Sequence, residues 1–217
     1  MLDEVNHIRA HAIMLATPEP DRGKVRLADK LGPRSMQYMV DLLPHIQEFI
    51  ATQPRGTRFT VLDVGPGTGH GTALLADLYR GNPLGYGMQV SGLDIRDYYA
   101  TYFAAHFPDL PLVIEDVFDH HTKYDIVVTS HAIEHIPDPL GFCRRLQEMA
   151  RLAVFVSAPF NEPPGQLAAG HINIIDDAFL EQLQADQVVI HKSVSWGAFK
   201  DPPYESIIAR LPGRGTS

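Results

Sequence analysis

The chain has 217 residues, which is enough for one domain with a sizeable core and too short for two full domains. Hydrophobic residues make up 45% of the sequence and charged residues 20%, proportions of a folded soluble protein that exclude an intrinsically disordered chain. The 26 acidic and 18 basic residues give a formal net charge of −8, which repels phosphate backbones, so we do not expect a nucleic-acid substrate.

The chain carries one cysteine, Cys143. A single thiol excludes an intrachain disulfide framework and a thiolate metal cluster within one chain. No apolar run approaches the roughly 20 residues that span a bilayer. The N-terminal residues include acids and histidines where a secretory signal has basic and then apolar residues. We therefore expect a cytoplasmic protein without a membrane span.

Residues 1–57 are predicted to form a helical cap that belongs to the same domain as the rest of the chain. Prolines, glycines and charges are mixed over residues 1–34, where we expect a short helix and a loop. Ser35 is a plausible N-cap for an amphipathic helix, and Pro44 should kink that helix or begin a second one. The apolar residues that recur with helical spacing are Met36, Met39, Val40, Leu43, Ile46 and Ile50.

Residues 58–217 show the alternation of short apolar strands and helices that is typical of a parallel sheet with helices on both faces. The predicted strands of this alternation are residues 60–64, 88–94, 112–114, 124–129 and 152–157. The predicted helices between them are residues 71–79, 97–106 and 139–151. The crossover after the third strand is too short for more than a turn of helix.

The end of the chain departs from this rhythm. A predicted helix at residues 176–185 is followed by two long predicted strands, 188–196 and 204–211, which loop 197–203 joins. Two strands joined in this way favour an antiparallel pair. The sequence therefore predicts an α/β fold with a Rossmann-like, seven-stranded mixed sheet, in which a C-terminal antiparallel hairpin completes the parallel strands.

The segment VLDVGPGTG, residues 61–69, predicts a strand, a tight glycine turn and a helix N-terminus in succession. That arrangement places backbone N–H groups and the positive end of a helix dipole beside a bound ligand. His70 stands where the dinucleotide fingerprint G-x-G-x-x-G has its third glycine, and no Lys-Ser or Lys-Thr pair follows as in a P-loop. Asp94 ends the next predicted strand, where a carboxylate can accept hydrogen bonds from two ribose hydroxyls. These features predict a nucleoside cofactor without a pyrophosphate.

The order and spacing of several further motifs make the chain similar to the class I S-adenosylmethionine-dependent methyltransferases. VLDVGPGTG resembles their first motif, SGLDI at residues 91–95 their second and EDVFD at residues 115–119 their third. YDIVVTSHAIEHIPDPLGF, residues 124–142, is similar to the small-molecule branch typified by the ubiquinone-biosynthesis O-methyltransferases, as are SAPFNEP and GHINIIDDAFLEQL. The resemblance covers residues 58–185 well and leaves the first 57 residues unmatched.

The resemblance implies S-adenosylmethionine as the cofactor, bound at the carboxyl ends of the strands. The residues that it assigns to the cofactor are Asp63, Gly65 and Gly67 at the methionine end, Asp94 and Ile95 at the ribose and adenine, Asp116 and Val117 at the adenine amino group, and Ser130 and His131 beside the methionine portion or the substrate. Other interpretations stay open. The glycines can be a tight turn alone, Asp94 a helix N-cap and Asp116 ordinary turn chemistry.

His131, Glu134 and His135 form an H-x-x-E-H motif, with the two histidines spaced to share a helical face, and His171 lies on a later loop. In one interpretation a histidine is the general base that removes a proton from a substrate hydroxyl, with His135 as the first candidate and His131 and His171 as rivals. In a second interpretation, the four residues bind a divalent metal. Some similar methyltransferases carry E-x-x-E-H with a distant histidine as metal ligands, but His131 replaces their first glutamate here. We therefore do not expect a metal. In a third, Glu134 and His135 cap the helix and pair with the backbone.

Together these features predict an enzyme that transfers a methyl group from S-adenosylmethionine to a small-molecule acceptor, most readily to oxygen. Two alternatives stay open on the sequence. The chain can be a non-catalytic subunit that binds the cofactor beside a partner, or a nicotinamide-dependent oxidoreductase, against which the missing third glycine argues. The acceptor and the oligomeric state have no readable signature in the sequence.

Overall fold

Seven strands form one mixed sheet in this computed structural model, which describes residues 19–81, 85–165, 167–168, 170–193 and 204–215. The strands are β1 (Arg58–Val64), β2 (Gly87–Asp94), β3 (Leu112–Ile114), β4 (Tyr124–Ser130), β5 (Ala150–Phe160), β6 (Gln187–Lys192) and β7 (Glu205–Pro212). Their order is β3-β2-β1-β4-β5-β7-β6, in which β7 is antiparallel to both neighbours and the other pairs are parallel. The predicted Rossmann-like sheet with its C-terminal hairpin is confirmed.

Helices lie between most of the parallel strands. The α-helices of the described residues are α1 (Glu19–Ala51), α2 (His70–Leu78), α3 (Ala100–His106), α4 (Pro139–Met149) and α5 (Asp177–Leu183), and a 3₁₀ turn spans Ile133–His135. Helix α4 begins at an Asp138 N-cap, whose Oδ1 accepts a hydrogen bond from the Gly141 N–H at 2.8 Å. It ends two residues earlier than predicted because β5 follows directly at Ala150. No helix within the described ranges is long and apolar enough to cross a membrane.

The prediction for the N-terminal region is wrong in part. Helix α1 is a single helix of 33 residues that continues through Pro33 and Pro44, where a loop before Ser35 was expected. No second helix begins at Pro44, which was one of the two predicted outcomes for that proline. A proline inside a helix costs about 3 kcal/mol, whereas full burial of a large apolar side chain contributes about 1.5–3 kcal/mol. Packing onto the sheet outweighs the two prolines, because α1 buries Met39, Leu42, Ile46 and Ile50. Residues 1–18 lie outside the described part of the chain.

Different helices cover the two faces of the sheet. Helices α1 and α2 pack on one face, for example through Met39 and Leu75. Helices α4 and α5 pack on the other face, through residues such as Leu146 and Phe179. Cys143 on α4 is buried in this second core, and burial raises the pKa of its thiol to about 12. A thiol of this kind has a packing role.

The register brings the carboxyl ends of the parallel strands to one edge of the sheet. Asp94 of β2 pairs with Ile114 of β3, and Ser130 of β4 pairs with Ser157 of β5. Ligands of open α/β sheets bind at this edge. In the antiparallel hairpin, the end of β6 lies beside the start of β7. Residues 194–203 lie outside the described ranges. They include the end of the strand predicted at 188–196 and the predicted loop 197–203.

Candidate active site

A glycine turn joins β1 to α2. Gly65, Gly67 and Gly69 have φ angles of 74°, 55° and 85°, in the left-handed region that favours glycine. A side chain at Gly69 would also collide with the ring of Phe103. Around Gly67, no atom of the described residues other than its chain neighbours lies within 4 Å of the position that a Cβ would take. The turn therefore presents open backbone at the carboxyl edge of the sheet, as a cofactor site requires.

A cavity of about 230 Å³ lies between the glycine turn and α1. Five residues predicted for the methionine end or the substrate side line it: Asp63, Gly65, Gly67, Ser130 and His131. The opposite wall belongs to α1 and consists of Ser35, Tyr38 and Met39. No sequence motif marks these wall residues, and only the helical spacing of their neighbours signals that this part of α1 is buried.

A second cavity, of about 210 Å³, lies on the other side of Gly65, which lines both cavities. Its wall contains the four residues predicted at the ribose and adenine: Asp94, Ile95, Asp116 and Val117. Apolar lining that no motif marks comes from Leu93, Phe118, Ile136 and Phe142. A mostly apolar cleft with a few fixed polar groups suits a nucleoside, because the base offers apolar faces and the ribose offers hydroxyls.

The carboxylate of Asp94 is held at the end of β2 by backbone N–H groups. Its Oδ1 accepts a hydrogen bond from the Arg96 N–H at 2.9 Å, and the N–H groups of Gly67 and Ile95 also interact with it. Burial raises the pKa of Asp94, and these N–H groups oppose the shift. Asp94 does not cap α3, whose N-cap is Tyr99. The N-cap interpretation of Asp94 is therefore wrong.

Asp116 combines both roles that the sequence leaves open. Its Oδ1 accepts a hydrogen bond from the Phe118 N–H at 3.0 Å, which is an Asx turn. The residue also borders the second cavity. The neighbouring Val117 is only 7% exposed and belongs to the core beneath the cavity, so this loop is fixed where the adenine is expected.

Asp63 is a buried carboxylate in the wall of the first cavity. Its Oδ2 accepts a hydrogen bond from Thr72 Oγ1 at 2.6 Å. Burial raises the pKa of Asp63 from 3.8 to about 6, the Thr72 bond opposes the shift, and the charge of Asp94 adds to it. A cationic group of a ligand in this cavity would compensate a charge that the protein solvates poorly.

The burial of Asp63 predicts a pH-dependent stability of the ligand-free protein. Between about pH 4 and pH 6 the folded chain binds more protons at Asp63 than the unfolded chain, so the free energy of unfolding falls as the pH rises. Asp63→Asn should remove a decrease on the order of 3 kcal/mol over this window. Urea unfolding at several pH values measures it, with the exposed Asp77→Asn as the control. Parallel pH curves for wild type and Asp63→Asn would contradict the assignment.

His131 follows the end of β4 in a left-handed conformation, with φ at 51°. Its backbone N–H donates to the Ser157 carbonyl at 2.8 Å, and the Tyr38 ring stacks on the imidazole with centroids 3.8 Å apart. Burial lowers the pKa of His131 to about 3, and the charge of Asp41 opposes the shift. The imidazole is therefore neutral at physiological pH and lines the first cavity. The predicted helical face shared with His135 is wrong, because His131 precedes the 3₁₀ turn rather than forming part of a helix.

Glu134 lies at the centre of the histidine cluster. It is 1% exposed, and its Oε1 is 3.6 Å from His131 Nδ1, 3.8 Å from His171 Nε2 and 4.0 Å from His135 Nε2. These separations exceed hydrogen-bond length. Burial raises the pKa of Glu134 to about 8, and the charge of Glu162 adds to the shift. The four predicted residues are thus brought together around one carboxylate.

The other two histidines are each held by their Nδ1 atom. His135 Nδ1 donates to the Gly170 carbonyl at 2.8 Å, and His171 Nδ1 donates to Glu162 Oε2 at 2.5 Å. The first of these bonds is the backbone pairing of the capping interpretation. His135 is half-exposed and lines neither cavity, whereas His131 lines the first. Glu162 belongs to the SAPFNEP segment and comes from the loop after β5, and the sequence predicts no role for it.

The Rossmann-like sheet, with a glycine turn between β1 and α2, agrees with the fold that the resemblance to class I methyltransferases predicts. A family model described as a methyltransferase domain matches residues 22–185, about three quarters of the chain. The chain belongs to this family of methyltransferases. No curated protein sequence matches the chain.

Solved structures share the fold at low sequence identity. Magnesium protoporphyrin IX methyltransferase from Synechocystis PCC 6803 with bound SAH is 14% identical over 82% of this chain and 84% of its own, with a TM-score of 0.60. The CurJ carbon methyltransferase is 14% identical over 93% and 58%, with a TM-score of 0.60. A structure of the Haloferax volcanii Trm112 methyltransferase activator with a putative methyltransferase gives 13% identity over 91% and 97%, with a TM-score of 0.63. These matches do not distinguish the ubiquinone-biosynthesis branch, and they support neither the nicotinamide-dependent nor the non-catalytic alternative.

Proposed function

We propose that this methyltransferase acts on a small-molecule acceptor and transfers the methyl group most readily to an oxygen atom. The observation that carries the proposal is the first cavity, which lies beside the methionine end of the cofactor site and is bounded by α1. The methionine portion of the cofactor would fill part of this space of about 230 Å³, and the remainder suits a small acceptor group. The lining includes the Tyr38 ring on α1 and the His131 imidazole after β4, which offer the acceptor a flat apolar surface and a nitrogen lone pair.

The residues at the two cavities fit the cofactor. S-Adenosylmethionine supplies a methyl group on a positively charged sulfur, which a nucleophile can displace. Asp94 offers acceptor oxygens for the ribose hydroxyls, and the apolar walls at Ile95 and Val117 suit the adenine. Asp63 offers a buried negative charge on the methionine side of Gly65. Orientation of the acceptor in line with the methyl group can contribute about 7–11 kcal/mol to the lowering of the barrier.

Of the three candidate bases, His131 has the position that an acceptor hydroxyl requires. It lines the first cavity together with Ser130. Neither His135 nor His171 lines either cavity, and the Nε2 atom of His171 is 3.8 Å from Glu134 Oε1. We therefore assign the removal of the acceptor proton to His131 rather than to His135. A positioned base contributes about 10²- to 10⁴-fold to the rate when the acceptor is a hydroxyl.

A screen for S-adenosylhomocysteine release tests the proposal. Matched pairs of small acceptors that differ only in a hydroxyl or an amine at the same position are incubated with the protein and S-adenosylmethionine. We expect turnover with hydroxyl members, and loss of that turnover in His131→Ala. Turnover confined to amine members, or to a macromolecular acceptor, would contradict the proposal.

A further inference from the structure

One arginine of α4 holds the loop between β3 and β4, residues 115–120, which carries the residues expected at the adenine. The Nε atom of Arg145 donates to the Val117 carbonyl at 3.1 Å, and its Nη2 atom donates to the His120 carbonyl at 2.5 Å. Its Nη1 atom donates to Glu148 Oε2, one turn further along α4, at 3.0 Å. Because the side chain is only 13% exposed, water competes weakly for these charge-assisted bonds. One planar guanidinium therefore fixes the middle and the end of the loop to the helix.

The adjacent arginine shows that this arrangement is not a general property of α4. The side chain of Arg144 is 60% exposed, and its Nη2 atom is 3.9 Å from Asp138 Oδ2, which exceeds hydrogen-bond length. An exposed pair of this kind contributes little to stability. Arg144 is thus a matched control for Arg145 on the same helix.

The imidazole of His120 closes the same loop on its other side. It is buried, with Nδ1 at 2.7 Å from Glu115 Oε2 and Nε2 at 3.1 Å from the Tyr124 hydroxyl. These contacts join the last residue of the loop to its first residue and to the start of β4. Within the loop, the N–H groups of Asp119 and His120 both donate to the Asp116 carbonyl, at 3.0 and 3.2 Å. The loop is therefore ordered by the protein itself.

The loop presents one carboxylate to the second cavity. Asp116 and Val117 line that cavity, whereas Arg145 does not. Asp116 Oδ1 accepts the Phe118 N–H at 3.0 Å, which orients the carboxylate and leaves Oδ2 to accept a hydrogen bond from a ligand. Adenine carries an exocyclic amino group that can donate such a bond. A 6-oxopurine has a carbonyl oxygen at the same position, so two acceptors would meet there.

We propose that Arg145 is a positioning residue that holds the 115–120 loop in the form that selects adenine over a 6-oxopurine. The inference rests on the proposed cofactor site, because the base must lie against Asp116. A loop that already has its bound form loses little conformational entropy when the ligand binds. If the loop kept that form in only about one tenth of the molecules, the apparent Kd for an adenine ligand would rise about tenfold.

Calorimetric titration with two ligands tests the proposal. S-Adenosylhomocysteine carries the amino group, and S-inosylhomocysteine carries an oxo group in its place. Wild type should prefer the first ligand by at least about tenfold, since only that ligand can donate to Asp116. Arg145→Lys keeps the charge and the aliphatic stem but not the planar set of donors. Its Kd for S-adenosylhomocysteine should rise about tenfold, and its Kd for S-inosylhomocysteine by less than about threefold. Arg144→Lys should behave as wild type with both ligands.

A second variant covers the case in which Arg145→Lys does not fold. The Glu115 side chain is 40% exposed, so Glu115→Ala leaves the core intact and removes the partner of His120. It should weaken the binding of S-adenosylhomocysteine by about 3- to 10-fold and lower the preference over S-inosylhomocysteine by the same factor.

Three results would overturn the proposal while wild type still binds S-adenosylhomocysteine. The first is a wild type without preference between the two ligands. The second is an unchanged preference in folded Arg145→Lys, whether both affinities stay the same or fall together as in a general loss of structure. The third, if that variant does not fold, is an unchanged preference in Glu115→Ala. Absence of binding of either ligand to wild type would instead contradict the proposed cofactor site, and this inference with it.

Discussion

Replacement of His131 with alanine is expected to lower the turnover number by about 10²- to 10⁴-fold on a hydroxyl acceptor. The imidazole lines the cavity beside the predicted methionine end of the cofactor site, where its neutral form offers a nitrogen lone pair to an acceptor hydroxyl. Burial lowers its pKa to about 3 in the ligand-free protein, which makes it a weak base and places the expected effect at the lower end of this range. The affinity for S-adenosylhomocysteine should change much less than the turnover number. Measurement of both quantities on one preparation separates the loss of a base from the loss of the cofactor site.

The control for this variant must test the effect of removing an imidazole elsewhere. His121 is exposed on the loop before β4, so His121→Ala should leave turnover unchanged. His131→Gln retains a polar side chain beside Tyr38 and should be nearly as slow as His131→Ala, because an amide is not a base at neutral pH. Turnover of His131→Ala within threefold of wild type would remove His131 from the mechanism.

Replacement of Asp94 with alanine is expected to weaken the binding of S-adenosylhomocysteine by about 10- to 150-fold. The carboxylate lies at the end of β2 in the second cavity, where it can accept hydrogen bonds from both ribose hydroxyls. Hydrogen bonds to a charged group contribute about 1.5–3 kcal/mol, which converts to this change in Kd. Isothermal titration calorimetry gives the affinity directly.

Asp94 also accepts N–H groups from the glycine turn, so a loss of affinity has two possible origins. Asp94→Asn keeps an acceptor oxygen for those N–H groups but loses the charge, and it should retain a Tm close to wild type while still binding the ligand more weakly. Asp186→Ala, at an exposed position before β6, is the matched control. An unchanged Kd in Asp94→Ala would mean that the ribose lies elsewhere.

The cofactor half of the site is readable from the sequence because its determinants are local. Gly65 and Gly67 mark a backbone conformation that other residues avoid, and Asp94 ends a strand whose apolar pattern is clear. The parallel register then brings these positions to one edge of the sheet. The fold class and the cofactor prediction follow from such short segments.

The acceptor half is not readable in the same way. Tyr38 reaches the cavity only because α1 continues through Pro44 and packs on the sheet, and local propensity argues against that path. His131 adopts a left-handed conformation that nothing in H-x-x-E-H predicts, so it faces the cavity instead of sharing a helical face with His135. Glu162 approaches His171 through the tertiary fold of a loop. Each of these contacts depends on packing rather than on sequence spacing.

Calorimetric titration of the wild-type protein with S-adenosylhomocysteine tests the central claim most directly. The account predicts saturable binding of one molecule per chain, competition by S-adenosylmethionine, and no competition by NADH, because the glycine turn lacks the third glycine of a dinucleotide site. Absence of binding at ligand concentrations up to ~1 mM, which corresponds to a binding free energy weaker than about −4 kcal/mol, would contradict it.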